Sequence, residues 1–382
     1  MIYFDNNATT RVFEGVADAI RPYLTEQFAN PASAMGQFGG VSRDIAVAKS
    51  ILAETLGADS GDQIVITSGA TEANNLALLG AARANPRRRH LITSVIEHPS
   101  VLEVMAFMES TGYLVTRIPV TADGLVSPKE VRLALTADTL LVSVMLANNE
   151  TGVIQPVGEI ARLVKAHDTA ILVHSDATQA VGKIPIDLGD DLSAVDLLSF
   201  SAHKFHGPKG VGALFVREAN AIAPLFFGGG QQFGLRPGTE NPALIIGMKA
   251  ALVGLTSAQE PYLAVSRLRD EIQRRILSLH AGAFALGVSR PRLPNTLSLC
   301  LPGIEGADLV DSLANLGIAI STGSACAQGA NKPSYVMLAM GLSHAQAGRC
   351  IRISLSIETT QFDVESLMDA ISSLFTSNIS AI

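Results

Sequence analysis

The sequence predicts an α/β protein with a mostly parallel sheet, helices on both of its faces, and a smaller C-terminal domain. Three observations carry this. Short apolar runs alternate with stretches of helical period from about residue 57 to 216, the rhythm of strand–helix–strand units. Hydrophobic residues make up 48% of the 382 and charged residues only 16%, enough apolar side chain for a large core. Polar and titratable residues come directly after the apolar runs, which is where open parallel sheets bind ligands.

In chain order, Met1-Ile-Tyr-Phe-Asp-Asn-Asn-Ala8 enters structure at once, with no basic n-region or long apolar h-region. The later apolar runs are far shorter than a membrane span. A cytoplasmic protein without membrane segments is therefore expected. A net charge of -7 with no basic stripe argues against direct nucleic-acid binding and against a basic membrane-surface patch. Gly36 to Leu56 carries an amphipathic helical pattern closed by Gly57 as a left-handed cap. Strands are expected at Gln63–Thr67, His90–Val95, Thr139–Leu146, Ala170–Val173, Val195–Phe200 and Val211–Val216, separated by helices such as Asn74–Ala84 and Ser100–Ser110. A long helical pattern beginning near Leu244 is interrupted at Pro261 and turns more charged over Arg267–Arg275, which places the boundary of the smaller domain there.

The strand ends carry the chemistry. After Gln63–Thr67 comes Ser68-Gly-Ala-Thr71, a helix start suited to a phosphate or equally to a plain cap. Pro99 puts His98 at a helix N-terminus, where the imidazolium is disfavoured; a neutral base and a capping histidine both fit. Asn148 and Asn149 read as turn formers or as a ligand-binding amide pair. Asp176 and Gln179 come after an apolar strand, and a carboxylate there needs a cationic partner, structural or bound. Lys204 sits in Ser199-Phe-Ser-Ala-His-Lys-Phe-His-Gly-Pro-Lys-Gly-Val-Gly212, just past a buried strand. Desolvation there favours the free amine that forms Schiff bases, although a surface lysine in a glycine-rich loop is the alternative. A lysine for a Schiff base, an acid for a pyridinium nitrogen, a histidine for ring stacking and a helix-start phosphate cradle together are what pyridoxal phosphate requires. Nucleotide motifs are missing: there is no G-x-x-x-x-G-K-[ST], and Phe227-Gly-Gly-Gly-Gln-Gln-Phe-Gly234 lacks G-x-G-x-x-G spacing.

Cys300, Cys326 and Cys350 are an odd number without C-x-x-C pairing, which argues against a disulfide framework and a metal site. Cys300 and Cys350 fall in apolar runs and read as small core residues. Cys326 lies in Ser321-Thr-Gly-Ser-Ala-Cys-Ala-Gln-Gly-Ala-Asn-Lys-Pro-Ser334, with no apolar period, where an exposed thiol is a liability unless its reactivity is used.

These residues, taken in order, carry a resemblance. Phe4-Asp-Asn-Asn-Ala-Thr-Thr10, Thr67-Ser-Gly-Ala-Thr-Glu72, Glu97-His98, Asn148-Asn-Glu150, Asp176-Ala-Thr-Gln179, Ser201-Ala-His-Lys204, Arg236-Pro-Gly-Thr-Glu-Asn241 and Ser321-Thr-Gly-Ser-Ala-Cys326 run nearly end to end. The chain resembles the cysteine desulfurases of the nitrogen-fixation and iron–sulfur type, within the class V aminotransferase group. The resemblance implies the aminotransferase-like fold type I, with a large domain at 15–258 and a small α+β domain from 1–14 and 259–382. It implies pyridoxal 5'-phosphate as cofactor and conversion of L-cysteine to L-alanine, with the sulfur passing as a persulfide through Cys326 to an acceptor protein. Lys204 is then the Schiff-base lysine, Asp176 the partner of the pyridine nitrogen, Gln179 that of the ring hydroxyl, and His98 the stacking and proton-moving residue. Ala70, Thr71, Ser201 and His203 fall to the phosphate, joined by Thr239 from the other subunit of a homodimer. Asn149 lies against cofactor and substrate, and Arg352 forks the substrate carboxylate. Selenocysteine lyases and other class V enzymes are the rival reading, and a non-catalytic sulfur-pathway scaffold a more distant one. Ser175, Gln232 and Pro237 depart from the usual pattern. The chain ends at Ile382, soon after its last helical pattern, whereas housekeeping members carry a scaffold-docking extension. This points to a dedicated pathway such as nitrogen fixation or sulfur modification of nucleic acid.

Overall fold

A computed structural model describes residues 1–256, 261–322 and 333–379. Among these, twelve strands come in chain order: β1 (Ile2–Tyr3), β2 (Ile64–Thr67), β3 (His90–Ser94), β4 (Leu114–Ile118), β5 (Thr139–Ser143), β6 (Leu172–Asp176), β7 (Leu197–Ser201), β8 (Gly212–Val216), β9 (Phe284–Ala285), β10 (Thr296–Cys300), β11 (Ile318–Ala319) and β12 (Cys350–Ser354). Strands β2 to β8 form one seven-stranded sheet in the order β2-β8-β7-β6-β5-β3-β4. Only β8 runs antiparallel to its neighbours there.

The central strands are buried along their whole length, because helices cover both faces, and such strands read as continuous apolar runs. Alternate residues nonetheless separate: Val65, Leu91, Leu141, Leu197 and Leu214 join one core cluster, Ile66, Ile92, Val142, Leu198 and Phe215 the other. Strand β4 has no counterpart among the strands expected from the sequence. It lies at a sheet edge, where its exposed Leu114 and Arg117 break the apolar run. Strand β6 extends to Asp176 rather than ending at Val173, since His174 and Ser175 are satisfied inside the sheet. His174 lies between the hydroxyls of Ser143 and Ser199 at 2.8 and 3.0 Å, and Ser175 donates to the Val144 carbonyl at 2.8 Å.

The helix expected over Gly36–Leu56 divides into Ala34–Phe38 and Val41–Thr55 at Gly40, whose φ of 83° a helix cannot continue. Its second piece buries Val41, Ile45, Ala48 and Leu52 at helical spacing, and Gly57 comes next with φ 67°. Pro261 is the first residue of the helix Pro261–Leu279, where a missing N–H costs nothing; residues 257–260, on which the expected domain boundary falls, lie outside the described residues.

Beside the large sheet lie an antiparallel sheet, β12-β10-β9, and the parallel pair β1-β11. The N-terminal segment threads between them. Phe4 N–H donates to Ala319, Ser354 N–H to Phe4 and Asn6 N–H to Ser354, which carries Asp5 and Asn7 to the carboxyl edge of the large sheet.

Candidate active site

Lys204 closes a single turn, Ala202–Lys204, directly after β7. Its Nζ donates to the carbonyls of Asn7 and Ala8, each at 2.7 Å. The rest of this loop is clasped by the same N-terminal segment. Thr10 bonds the His203 carbonyl through both its N–H and its hydroxyl. His206, at φ 65°, stacks on Phe13 with ring centres 4.0 Å apart. Burial, reinforced by the charges of Lys204 and Lys209, lowers His203 to about 4, so it is a neutral imidazole beside the cavity.

A chain of hydrogen bonds joins the acid to the histidine. Asp176 Oδ1 accepts from Thr178 N–H at 2.9 Å and its Oδ2 from Asn74 Nδ2 at 2.8 Å. The same Asn74 amide donates to Ser100 Oγ at 2.8 Å, and Ser100 Oγ lies 2.8 Å from His98 Nδ1. Pro99 starts the helix Pro99–Ser110, so His98 is its N-cap and Nδ1 accepts the Ser100 N–H at 3.1 Å. A backbone N–H can only donate; the neutral ring therefore carries its proton on Nε2. Burial holds this imidazole below the usual histidine range, with Asp176 opposing and Lys204 adding to the shift.

On the other side, Gln179 Nε2 donates to the Asn7 carbonyl at 2.9 Å, and its Oε1 accepts from Lys183 Nζ at 2.6 Å. Asn7 Nδ2 reaches the Asn149 carbonyl at 3.1 Å and Thr296 Oγ1 at 2.9 Å. Arg352 Nη1 donates to that Asn149 carbonyl at 3.0 Å and Nη2 pairs with Asp5 at 2.6 Å, the guanidinium being nearly sealed. Backbone bonds between Arg352 and Ser321 run in both directions.

The helix Ala70–Ala84 opens without a side-chain cap, leaving its first N–H groups directed at this space. It comes close because Gly212 is a glycine: a Cβ there would stand 2.7 Å from Gly69 Cα and 2.5 Å from the Phe200 carbonyl. Together these groups line a cavity of about 560 Å³ that includes Asn7, Ala70, Thr71, His98, Asn149, Asp176, Gln179, Ser201, His203, Lys204 and Arg352.

Residues 2–367 match the family described as Aminotransferase class-V. The chain belongs to this family. It is 42% identical over 366 residues to the cysteine desulfurase NifS of Azotobacter vinelandii, covering 95% of this chain and 90% of that one. A solved structure titled NIFS-LIKE PROTEIN superposes with TM-score 0.90 at 38% identity, covering 98% of this chain and 99% of the other. Another, titled SspA in complex with cysteine, gives 0.82 at 36% identity over 94% of this chain and all of the other.

The cofactor of these class V enzymes is pyridoxal phosphate, and the residues present suit it. The cavity volume lies within the usual range for a small-molecule site. Two buried oxygens on its wall, Asn149 Oδ1 and Thr178 Oγ1, have no hydrogen-bond partner among the described residues, a pattern that calls for a polar ligand. The donor set also matches a phosphorylated aromatic aldehyde: an amine, a carboxylate, an amide, a neutral imidazole and an uncapped helix start.

Thr239 is not part of this cavity. It is exposed in an adjoining one that shares Ser68 and Gly210 and includes Arg236. Near it, Gln232 adopts φ 50° and accepts from Ile66 N–H at 3.0 Å, satisfying the open edge of β2, while its amide donates to Glu240. Cys326 lies outside the described residues. Cys300 and Cys350 are buried opposite each other on β10 and β12. Asn7, Asn74, Ser100 and Lys183 also belong to the site, although the sequence does not single them out. Asn74 did leave a signal, a polar residue on the apolar stripe of a helix.

Proposed function

We infer that this chain is a pyridoxal-phosphate-dependent cysteine desulfurase. It converts L-cysteine to L-alanine: the substrate C–S bond breaks, an S–S bond forms to Cys326, and the hydrogen of the Cys326 thiol ends on alanine. The persulfide then passes to an acceptor protein, with iron–sulfur cluster assembly among the pathways it suits. The single observation that carries the reading is the convergence of Lys204, Asp176 and His98 on one cavity, with Arg352 at its substrate side.

Bound pyridoxal phosphate supplies the electron sink that lets bonds at the substrate's carbons break. Lys204 anchors it and moves protons from a position set by the carbonyls of Asn7 and Ala8. Asp176, kept in place by Asn74 and Thr178, would face the pyridine nitrogen. Gln179 would bind the ring hydroxyl, and His98, its imidazole lowered by burial, would stack on the ring and relay protons. Ala70, Thr71, Ser201 and His203 would hold the phosphate by hydrogen bonds. Asn149 and Arg352 take the substrate carboxylate, and Asp5 anchors the guanidinium through Nη2 at 2.6 Å. Residues 15–258 form the cofactor-binding domain, and residues 1–14 with 259–382 the small domain bearing Cys326.

A homodimer in which Thr239 completes the partner's phosphate site accords with the large aromatic side chains that this chain exposes. Phe38, Phe227, Phe28 and Phe233 are 94, 78, 76 and 61% exposed, an extent that marks interaction surfaces. No described helix is long and apolar enough to cross a membrane, in keeping with a cytoplasmic enzyme. The test is alanine release from L-cysteine by the purified holoenzyme without any keto acid. Release that depends on a keto-acid acceptor would refute the reading, as would a Cys326→Ala variant that keeps full persulfide output.

A further inference from the structure

Lys183 comes four residues after Gln179 along the turns beyond β6 and is only 5% exposed. Its amine donates to Gln179 Oε1 at 2.6 Å and to Asn7 Oδ1 at 3.4 Å; among the described residues both partners are neutral amides. A buried ammonium needs a carboxylate or several strong acceptors. Here the charges that reach it are those of Lys204 and Arg352, both of its own sign. Burial first, then those two cations, lower the amine well below the usual lysine range.

What that donor holds is the orientation of an amide. Gln179 Nε2 faces the Asn7 carbonyl, which can only accept, so Oε1 must face Lys183. The same Asn7 carbonyl receives Lys204 Nζ. A continuous path therefore runs from Lys183 through Gln179 and Asn7 to Lys204. Gly182 seals it: a Cβ there would stand 2.8 Å from the Cβ of Phe205, the neighbour of Lys204.

We propose that Lys183 is a positioning residue, an amine that locks the Gln179 amide and the Asn7 carbonyl so that Gln179 and Lys204 meet the cofactor in register. This rests on the functional reading above. A lysine suits this place better than an arginine, because its titration responds to the two neighbouring cations whereas a guanidinium stays charged beside them.

The experiment is a double-mutant cycle on cofactor binding. Apoproteins of wild type, Lys183→Met, Gln179→Ala and the double variant are titrated with pyridoxal 5'-phosphate and monitored by absorbance. Each single change is expected to weaken binding about 10-fold, the scale of one lost hydrogen bond, and the double variant no further. Losses that multiply, or a Lys183→Met protein that binds like wild type, overturn the proposal. So does a Lys183→Arg protein that binds like wild type. A wild-type apoprotein that does not bind the cofactor overturns the functional reading itself, and this proposal with it. Methionine preserves the stem volume and removes a buried polar group, so its thermal midpoint is expected to match or exceed that of wild type. Should that variant not fold, Lys183→Leu takes its place in the same cycle, with the same expected and overturning outcomes.

Discussion

Glu97 offers a test that reads the interior directly. It precedes His98, is fully buried, and its Oε1 accepts from Ser94 Oγ at 2.5 Å and Met145 N–H at 3.0 Å. Oε2 is buried without a hydrogen-bond partner among the described residues. Burial pushes this carboxyl from 4.5 up to about 8, and Asp176 adds to the rise against the two hydrogen bonds. Its folded-state value is raised, so the folded protein holds a proton that the unfolded chain releases. The contribution of Glu97 to stability is therefore fully present below pH 4.5 and is lost as pH climbs toward 8. At about 1.4 kcal/mol per unit, the decline from pH 5 to pH 7 amounts to roughly 2–3 kcal/mol. Glu97→Gln keeps the acceptor for Ser94 and Met145 but cannot ionise. Relative to wild type it should gain that same 2–3 kcal/mol between pH 5 and pH 7, whatever its offset at pH 5. Urea unfolding of both proteins at several pH values measures the difference. Parallel stability–pH curves would refute the neutral Glu97 and the dry interior behind His98.

Three further outcomes rest on the same geometry. Asn74→Leu removes the one amide that bonds both Asp176 and Ser100, and should cost about 1.5–3 kcal/mol in denaturant unfolding; it should also weaken pyridoxal phosphate binding, because the acid then loses its orientation. Arg352→Lys keeps the charge but loses the fork shared between Asp5 and the Asn149 carbonyl, so KM for L-cysteine in alanine release should rise on the order of 10-fold or more. Gly212→Ala forces a methyl to within 2.5 Å of the Phe200 carbonyl and 2.7 Å of Gly69 Cα, and should cost about 1–3 kcal/mol in thermal unfolding. It should also loosen phosphate retention by pushing the helix start away from Ser201.

Much of the large sheet was legible because burial on both faces writes strands as apolar runs. Where only one face is covered, as in edge strand β4, the run breaks at Arg117 and the strand disappears from the pattern. Polar residues inside a strand mislead in the opposite sense: His174 and Ser175 look like a loop until Ser143, Ser199 and the Val144 carbonyl are seen to satisfy them. Of the candidate site, Thr71, His98, Asn149, Asp176, Gln179 and Lys204 were visible as strand-end residues and do line one cavity. Thr239, exposed in the adjoining cavity, could not be located from its motif alone.

By itself, then, the sequence determined the parallel sheet, the edge on which chemistry gathers and the residue types gathered there, since these depend on local period and on the few residues just past each strand. Only the tertiary structure decided how they are held. Asn7 joins Asn149, Gln179, Lys183, Lys204, Thr296 and Ser354, positions 142 to 347 residues away. No local pattern encodes such a hub, because it exists only once the N-terminal segment has threaded between β11 and β12. The titration of Lys183 is likewise a property of its surroundings: burial and two neighbouring cations lower it well below the range that the same side chain has in water.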